Sequence, residues 1–293
     1  MPHNNDIIEN CIKRWQADDS VCNRMIESYP VWISQMSEKM REIIEIQMGF
    51  FDYYSHESVN GYLKALHGKL HEIEGVCFNN TIYTVLPNQN GRLNSGSYYL
   101  IEYKEINKIS KYVVFPSFAD LIDKLQYIDN IVIVDDFCGS GKTLIDFLSK
   151  YLDYLKNKNV YYLVVHVMSG ALIEIGKFSM QNSLKTRVIY CKCSDKAFLN
   201  KQLENRKDEF INESRKMGLQ RDCILGFKDT ESLVAFYNNT PNNTLGIYWR
   251  EEKNYTPLIP RNNDEKPSWQ QLKTDKKKRL KNNYMNNVRN RNG

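Results

Sequence analysis

The chain of 293 residues has no apolar run approaching the roughly 20 residues that a membrane-spanning helix needs. Its opening stretch, MPHNNDIIEN, lacks the basic-then-apolar layout of a secretory leader. A cytoplasmic protein with no membrane partner is therefore expected. Seven cysteines are scattered and odd in number, which argues against a secreted disulfide framework. Cys191 and Cys193 form a C-x-C pair, but no second Cys or His pair follows at zinc-site spacing. Reduced, mostly buried thiols are expected. No internal repeat is visible.

Positive charge is scarce in the body of the chain. The formal net charge is +5, yet residues 261–293 hold 10 Lys and Arg against 3 Asp and Glu, so the remainder is slightly acidic. That tail also has few apolar residues and cannot offset its own ordering entropy. Residues 263–293 are expected to be a basic, disordered tail, with nucleic acid or an acidic partner as the contact it offers.

Residues 1–78 read as a helical N-terminal extension. Met36, Met40, Ile43, Ile44 and Met48 recur three to four residues apart and make one apolar stripe, and Tyr62, Leu63, Leu66 and Leu70 continue in the same style. Such stripes are core packing. From residue 79 to 194 the character changes. TIYTVLP, KYVVF, NIVIVDD, VYYLVVHVMSG and TRVIYCKC read as strands, with helical stretches between them. Strands rich in Val and Ile alternating with helices predict an α/β domain, its mostly parallel five-stranded sheet covered on both faces. Residues 195–262 read as an appendage: charged helices, then an Asn/Thr/Pro-rich segment whose aromatic residues predict a structured loop packed onto the domain.

The chemistry concentrates in NIVIVDDFCGSGKT, residues 130–143. The ending GSGKT suggests a nucleotide-binding P-loop, but the first glycine of that motif would fall at Asp136. A carboxylate there opposes a polyphosphate, so NTP hydrolysis is not expected. The alternative uses both aspartates. Asp135 and Asp136 follow an apolar strand and so stand at the carboxyl edge of the sheet, where α/β folds bind ligands. The turn Gly139-Ser140-Gly141 then opens a helix near Lys142. Its backbone N–H groups, with the hydroxyls of Ser140 and Thr143, suit one phosphate. Two carboxylates beside a phosphate cradle match a ribose 5-phosphate.

Val-Asp-Asp-x-x-x-Ser-Gly-x-Thr resembles the phosphoribosyl diphosphate (PRPP) signature of type I phosphoribosyltransferases. The resemblance implies a sheet of that type, with Asp135 and Asp136 as the catalytic pair on the ribose hydroxyls. Gly139, Ser140, Gly141, Lys142 and Thr143 would hold the 5′-phosphate. It implies Mg²⁺ arriving with PRPP near the two aspartates, with no direct protein ligation. The slot for a diphosphate loop is PNQNGRLNSGSYY, where Arg92 and Ser95 are the candidate contacts. Two departures stand out. Phe137 and Cys138 replace small aliphatic residues, and Gly139 stands where enzymes acting on 6-oxopurines resemble one another in carrying an acid.

The segment NNTPNNTL, followed by a tryptophan and PLIPR, resembles the phosphoribosyltransferase-like effectors of bacterial conflict (antiphage) systems. It implies an acceptor side near Asn242, Asn243 and Thr244, and a partner protein encoded in a defence operon. Transfer of phosphoribosyl to an unidentified acceptor and non-catalytic sensing of PRPP or a nucleotide-like molecule both fit these residues. His166, in the fourth strand, reads as a satisfied core histidine before a catalytic one, and no metal is expected at His67 and His71.

Overall fold

The computed structural model describes residues 4–16, 19–73, 75–87 and 95–261. The tail expected over 263–293 and Arg92 lie outside the described residues. Three helices come first: α1 (Asn4–Trp15), α2 (Asp19–Ser34) and α3 (Glu38–Met48). Ser37 caps α3, its hydroxyl accepting from the Met40 N–H at 3.3 Å. The stripe Met36, Met40, Ile43, Ile44 and Met48 is fully buried, as its spacing predicts. A short strand, β1 (Asp52–Tyr54), interrupts the stretch expected to be helical. Helix α4 (His56–His71) follows, capped by Ser55, and buries Val59, Leu63, Leu66 and Leu70.

The alternating region then runs β2 (Thr81–Thr84), α5 (Ser95–Ile106), β3 (Asn130–Cys138), α6 (Lys142–Lys150), α7 (Leu152–Leu155), β4 (Asn159–Met168), α8 (Ser169–Gln181) and β5 (Lys185–Ser194). Strands β2, β3, β4 and β5 lie in that order and every pairing is parallel. Alternate residues of β3 face opposite layers. Ile131 and Ile133 pack with Leu144, Phe147 and Ile175 of α6 and α8, whereas Val132 and Val134 pack with Leu63, Leu66 and Tyr103 of α4 and α5. Burial on both faces explains why the strands read as nearly continuous Val/Ile runs.

Of the five expected strands, KYVVF is reduced to one bridge. Residues Lys111–Val113 form a 3₁₀ turn capped by Ser110, and only Val114 pairs with Tyr83, the Phe115 N–H donating to the Tyr83 carbonyl at 2.8 Å. Pro116 comes next and has no N–H to carry the ladder on. The segment Phe118–Tyr127 is also 3₁₀ rather than α-helical.

After β5 come α9 (Lys207–Lys216), α10 (Arg221–Ile224) and β6 (Val234–Phe236). Strand β6 pairs in parallel with β1 in a separate two-stranded sheet. The first helices and this last segment share one apolar core, distinct from the two that flank the main sheet. Trp32 Nε1 donates to the Tyr255 hydroxyl at 2.6 Å, and the Tyr248 hydroxyl donates to Gln47 Oε1 at 2.9 Å. Each large side chain buried there contributes roughly 1.5–3 kcal/mol. The aromatic residues expected to pack the Asn/Thr/Pro-rich segment onto the domain do so: Phe236, Tyr248, Trp249 and Tyr255 are buried, and Tyr237 is half-buried.

Candidate functional site

Strand β3 does not stop at the aspartates but continues to Cys138, so both lie within its last turn of pleats. Asp136 is buried and Asp135 half-buried. The Tyr162 hydroxyl, on the neighbouring strand β4, donates to Asp135 Oδ2 at 2.8 Å, and Asp135 Oδ1 accepts from the Asp136 N–H at 3.0 Å. Burial first, then the charge of Asp136, pushes the Asp135 carboxyl well above the ordinary carboxylate range; the Tyr162 hydrogen bond opposes this only in part. Burial thus favours the protonated form of Asp135 more than solvent would. Asp136 also lies near enough to Tyr99 of α5 to add to the upward push that burial gives that phenol. Cys138 is an inert thiol, pushed up to about 12 by burial and by Asp135.

The turn after β3 is shaped by two glycines. Gly141 caps α6 from a left-handed backbone, φ 73°, and its carbonyl accepts from the Ile145 N–H at 3.0 Å. A side chain there would meet Ile175 at 3.0 Å besides the backbone strain. Ser140 Oγ accepts from the Lys142 N–H at 3.4 Å. The Lys142 ammonium points elsewhere, donating to both oxygens of Asp146 at 2.6 Å, so this residue offers the turn its backbone and not its charge. Thr143 is exposed in the first turn of α6.

Gly139 has a different reason for being glycine. A Cβ on it would lie 2.3 Å from Asn243 Nδ2 and 2.4 Å from Asn243 Cγ. The Asn243 amide is fixed there, donating to Thr230 Oγ1 at 2.9 Å. The position that lacks an acid is thus filled by an amide from the C-terminal appendage. Gly139→Ala is expected to lower stability by about 1–2 kcal/mol through this overlap. Adding Asn243→Ala should recover most of the loss, and thermal melts of the two single variants and the double variant would show that coupling.

A pocket of about 180 Å³ opens between the turn and the appendage, walled by residues 137–144 together with Phe227, Asn242 and Asn243. Of the predicted site, Gly139, Ser140, Gly141, Lys142, Thr143, Asn242 and Asn243 come together here. Asp135 and Asp136 precede the wall along β3 and are not part of it. Thr244 is fully buried, its hydroxyl donating to the Val234 carbonyl at 2.5 Å, and does not face the pocket. Ser95 is the first residue of α5. The turn and the first turn of α6 wall one side of this pocket, and Phe227, Asn242 and Asn243 wall the other.

The structure adds Tyr162, Tyr99 and Phe227, which the sequence reading did not select. The strand register that brings Tyr162 to Ile133, two residues before Asp135, has no local signature. His166 is fully buried at the end of β4, its Nδ1 2.7 Å from the Tyr54 hydroxyl and its Nε2 2.8 Å from Ser194 Oγ. Ser194 Oγ in turn donates to Met168 Sδ, so the Nε2–H donates to Ser194 and Tyr54 donates to Nδ1. Burial, then Lys192, lowers this imidazole to about 3, which leaves it neutral and structural. Among the described residues, no three His, Cys, Asp or Glu side chains converge to hold a metal.

The chain matches the PRTase-CE family over residues 31–261, which includes the sheet, the turn and the appendage. It belongs to that family. Among solved structures it is similar to Helicobacter pylori xanthine-guanine-hypoxanthine phosphoribosyltransferase, at 16% identity with a TM-score of 0.32, over 53% of this chain and 96% of that one. No curated protein matches. The PRTase-CE match spans both halves of the pocket wall, so the appendage that supplies Asn242 and Asn243 belongs to the family unit together with the phosphoribosyltransferase-like core.

Proposed function

We propose that this PRTase-CE protein binds PRPP, with its 5′-phosphate on residues 139–143 and its ribose hydroxyls on Asp135 and Asp136, and transfers the phosphoribosyl group to an acceptor. The observation that carries the reading is the aspartate pair, Asp135 half-buried and Asp136 buried, immediately before a glycine turn that opens α6 at one strand end. The vicinal hydroxyls of a ribose supply donors for the two carboxylates. In the transfer, the bond from the sugar C1 to the diphosphate breaks and the diphosphate leaves with the electron pair. A nitrogen or oxygen of the acceptor then bonds to C1 and gives up its proton. The protein's part is orientation of the sugar and stabilisation of the charge that develops at C1 and on the departing group. Mg²⁺ entering with PRPP would be held by the diphosphate oxygens and the ribose hydroxyls, with Asp135 and Asp136 behind those hydroxyls and not as direct ligands. Bound there, it would neutralise the leaving group. The biological role proposed is that of an effector in a bacterial defence system.

A second reading, PRPP sensing without transfer, is favoured by one observation. Gly139 carries no acid, and the Asn243 amide that fills its place is neither an acid nor a base near neutral pH. Calorimetry with PRPP and Mg²⁺, followed by a diphosphate-release assay over candidate acceptors, separates the two. Binding with release supports transfer, and binding without release supports the sensor. No PRPP binding by the wild-type protein would sink both.

A further inference from the structure

Beside the pocket at the Gly139–Thr143 turn lies a second, larger cavity of about 360 Å³, which shares Gly139 and Ser140 with it but is otherwise walled by different elements. Three lysines line it: Lys177 from α8, Lys196 from the turn after β5, and Lys228 from the loop that precedes β6. The single carboxylate in its wall, Glu174, is already paired with Lys177 at 2.9 Å. Among the described residues, neither Lys196 nor Lys228 has a carboxylate partner. Lys228 stands over the face of Phe227, 5.9 Å from the ring centroid. The loop that carries it is costly to form. Lys228, Asp229 and Glu231 all adopt left-handed backbone, with φ of 56°, 51° and 54°, which side chains other than glycine rarely tolerate. The apolar part of the wall includes Met168, at the end of β4, and the exposed Ile173 on α8, beside the small polar residues Ser140, Ser169 and Thr230.

We propose that this cavity is a subsite for a phosphorylated acceptor of the nucleotide class, its phosphate between Lys196 and Lys228 and its flat ring on Met168 and Ile173. A volume in the range of small-molecule sites, an apolar patch in the wall and a few converging cations are what such a ligand requires. A neutral base alone would leave the cations without a counter-charge. The proposal rests on the donor reading of the 139–143 turn, because the shared wall of Gly139 and Ser140 is what makes the second ligand an acceptor.

The test is calorimetry on the full chain with the four common ribonucleoside 5′-monophosphates, the matching nucleosides, ribose 5-phosphate and PRPP. Wild type is compared with Lys196→Gln/Lys228→Gln, two exposed positions. At least one monophosphate should bind wild type, bind at least about tenfold more weakly to the lysine variant, and outcompete its own nucleoside. Ribose 5-phosphate should bind both proteins within about twofold. The proposal is overturned if no monophosphate binds, if the variant binds it as wild type does, or if ribose 5-phosphate displaces it from a single shared site. It is equally overturned if the variant loses PRPP but keeps the monophosphate, since the cavity would then hold the donor's diphosphate. Failure of the donor reading looks different: ribose 5-phosphate and PRPP do not bind wild type, while the lysine-dependent monophosphate still does.

Discussion

Asp135→Asn combined with Asp136→Asn is expected to weaken PRPP binding by roughly 100-fold or more while leaving the protein at least as stable as wild type. Hydrogen bonds to a charged group are worth about 1.5–3 kcal/mol each. Losing the charge at two acceptors of sugar hydroxyls therefore removes about 3–6 kcal/mol of binding. Stability moves the other way, because Asp135 opposes folding where it stands. Burial and the charge of Asp136 raise Asp135 in the folded protein above its value in the unfolded chain. The folded state then retains a proton that the unfolded chain releases above roughly pH 4. The stability contributed by Asp135 is fully present below that pH and is lost as pH rises toward the raised folded value. Asn cannot ionise, so the variant lacks this decline, and its melting temperature should exceed that of wild type by a margin that grows from pH 4 to pH 8. Calorimetry with PRPP at pH 7.5 and thermal melts across that range check both halves. Unchanged PRPP affinity would remove the aspartates from the site. A margin that shrinks with pH would show that Asp135 is ionised and stabilised in the fold.

The contrast between what was legible in the sequence and what was not follows chain separation. The strand, the aspartates and the Gly139–Thr143 turn are consecutive, and a change from Val/Ile to acid to glycine marks each boundary. The helical stripes are equally local, since a period near 3.6 needs only a dozen residues to declare itself. The shortened strand KYVVF was readable in principle, for Pro116 follows it directly, but a β-rich composition outweighed that signal. The Asn243 amide over Gly139 was not readable. It depends on a loop about a hundred residues further on, whose path is set by the Trp32, Tyr248 and Tyr255 core shared with the N-terminal helices. Thr244 shows the same limit from the other side. It neighbours Asn243 in sequence, yet the turn directs its hydroxyl back to Val234 and away from the pocket.

Gly226→Ala is expected to lower stability by about 3–5 kcal/mol, the largest effect of one added methyl group among the described glycines, and to abolish the pocket with it. Gly226 has φ 74° and ψ 170°, a conformation that is essentially glycine's alone and costs other residues about 1–3 kcal/mol. The methyl would also lie 2.0 Å from the Asn243 carbonyl oxygen and 2.5 Å from its carbon. These are backbone atoms, so no side chain can swing aside to make room. The same backbone is fixed on both sides of the contact: the Phe227 N–H donates to the Asn242 carbonyl at 2.8 Å, and the Ser232 N–H donates to the Asn243 carbonyl at 3.2 Å. Relief therefore means separating the 226–232 loop from residues 242–243, which withdraws Phe227, Asn242 and Asn243 from the pocket together. Gly176→Ala is the control. Gly176 lies within α8, an added Cβ meets nothing within 4 Å, and alanine there should raise stability by about 0.5–1 kcal/mol. Thermal melts of the two variants should thus differ in sign. Calorimetry with ribose 5-phosphate should find binding to Gly176→Ala unchanged and to Gly226→Ala lost at a temperature where both are folded. A Gly226→Ala protein that melts with wild type would show that the loop and the Asn243 segment are not in contact, and the pocket would lose its appendage wall.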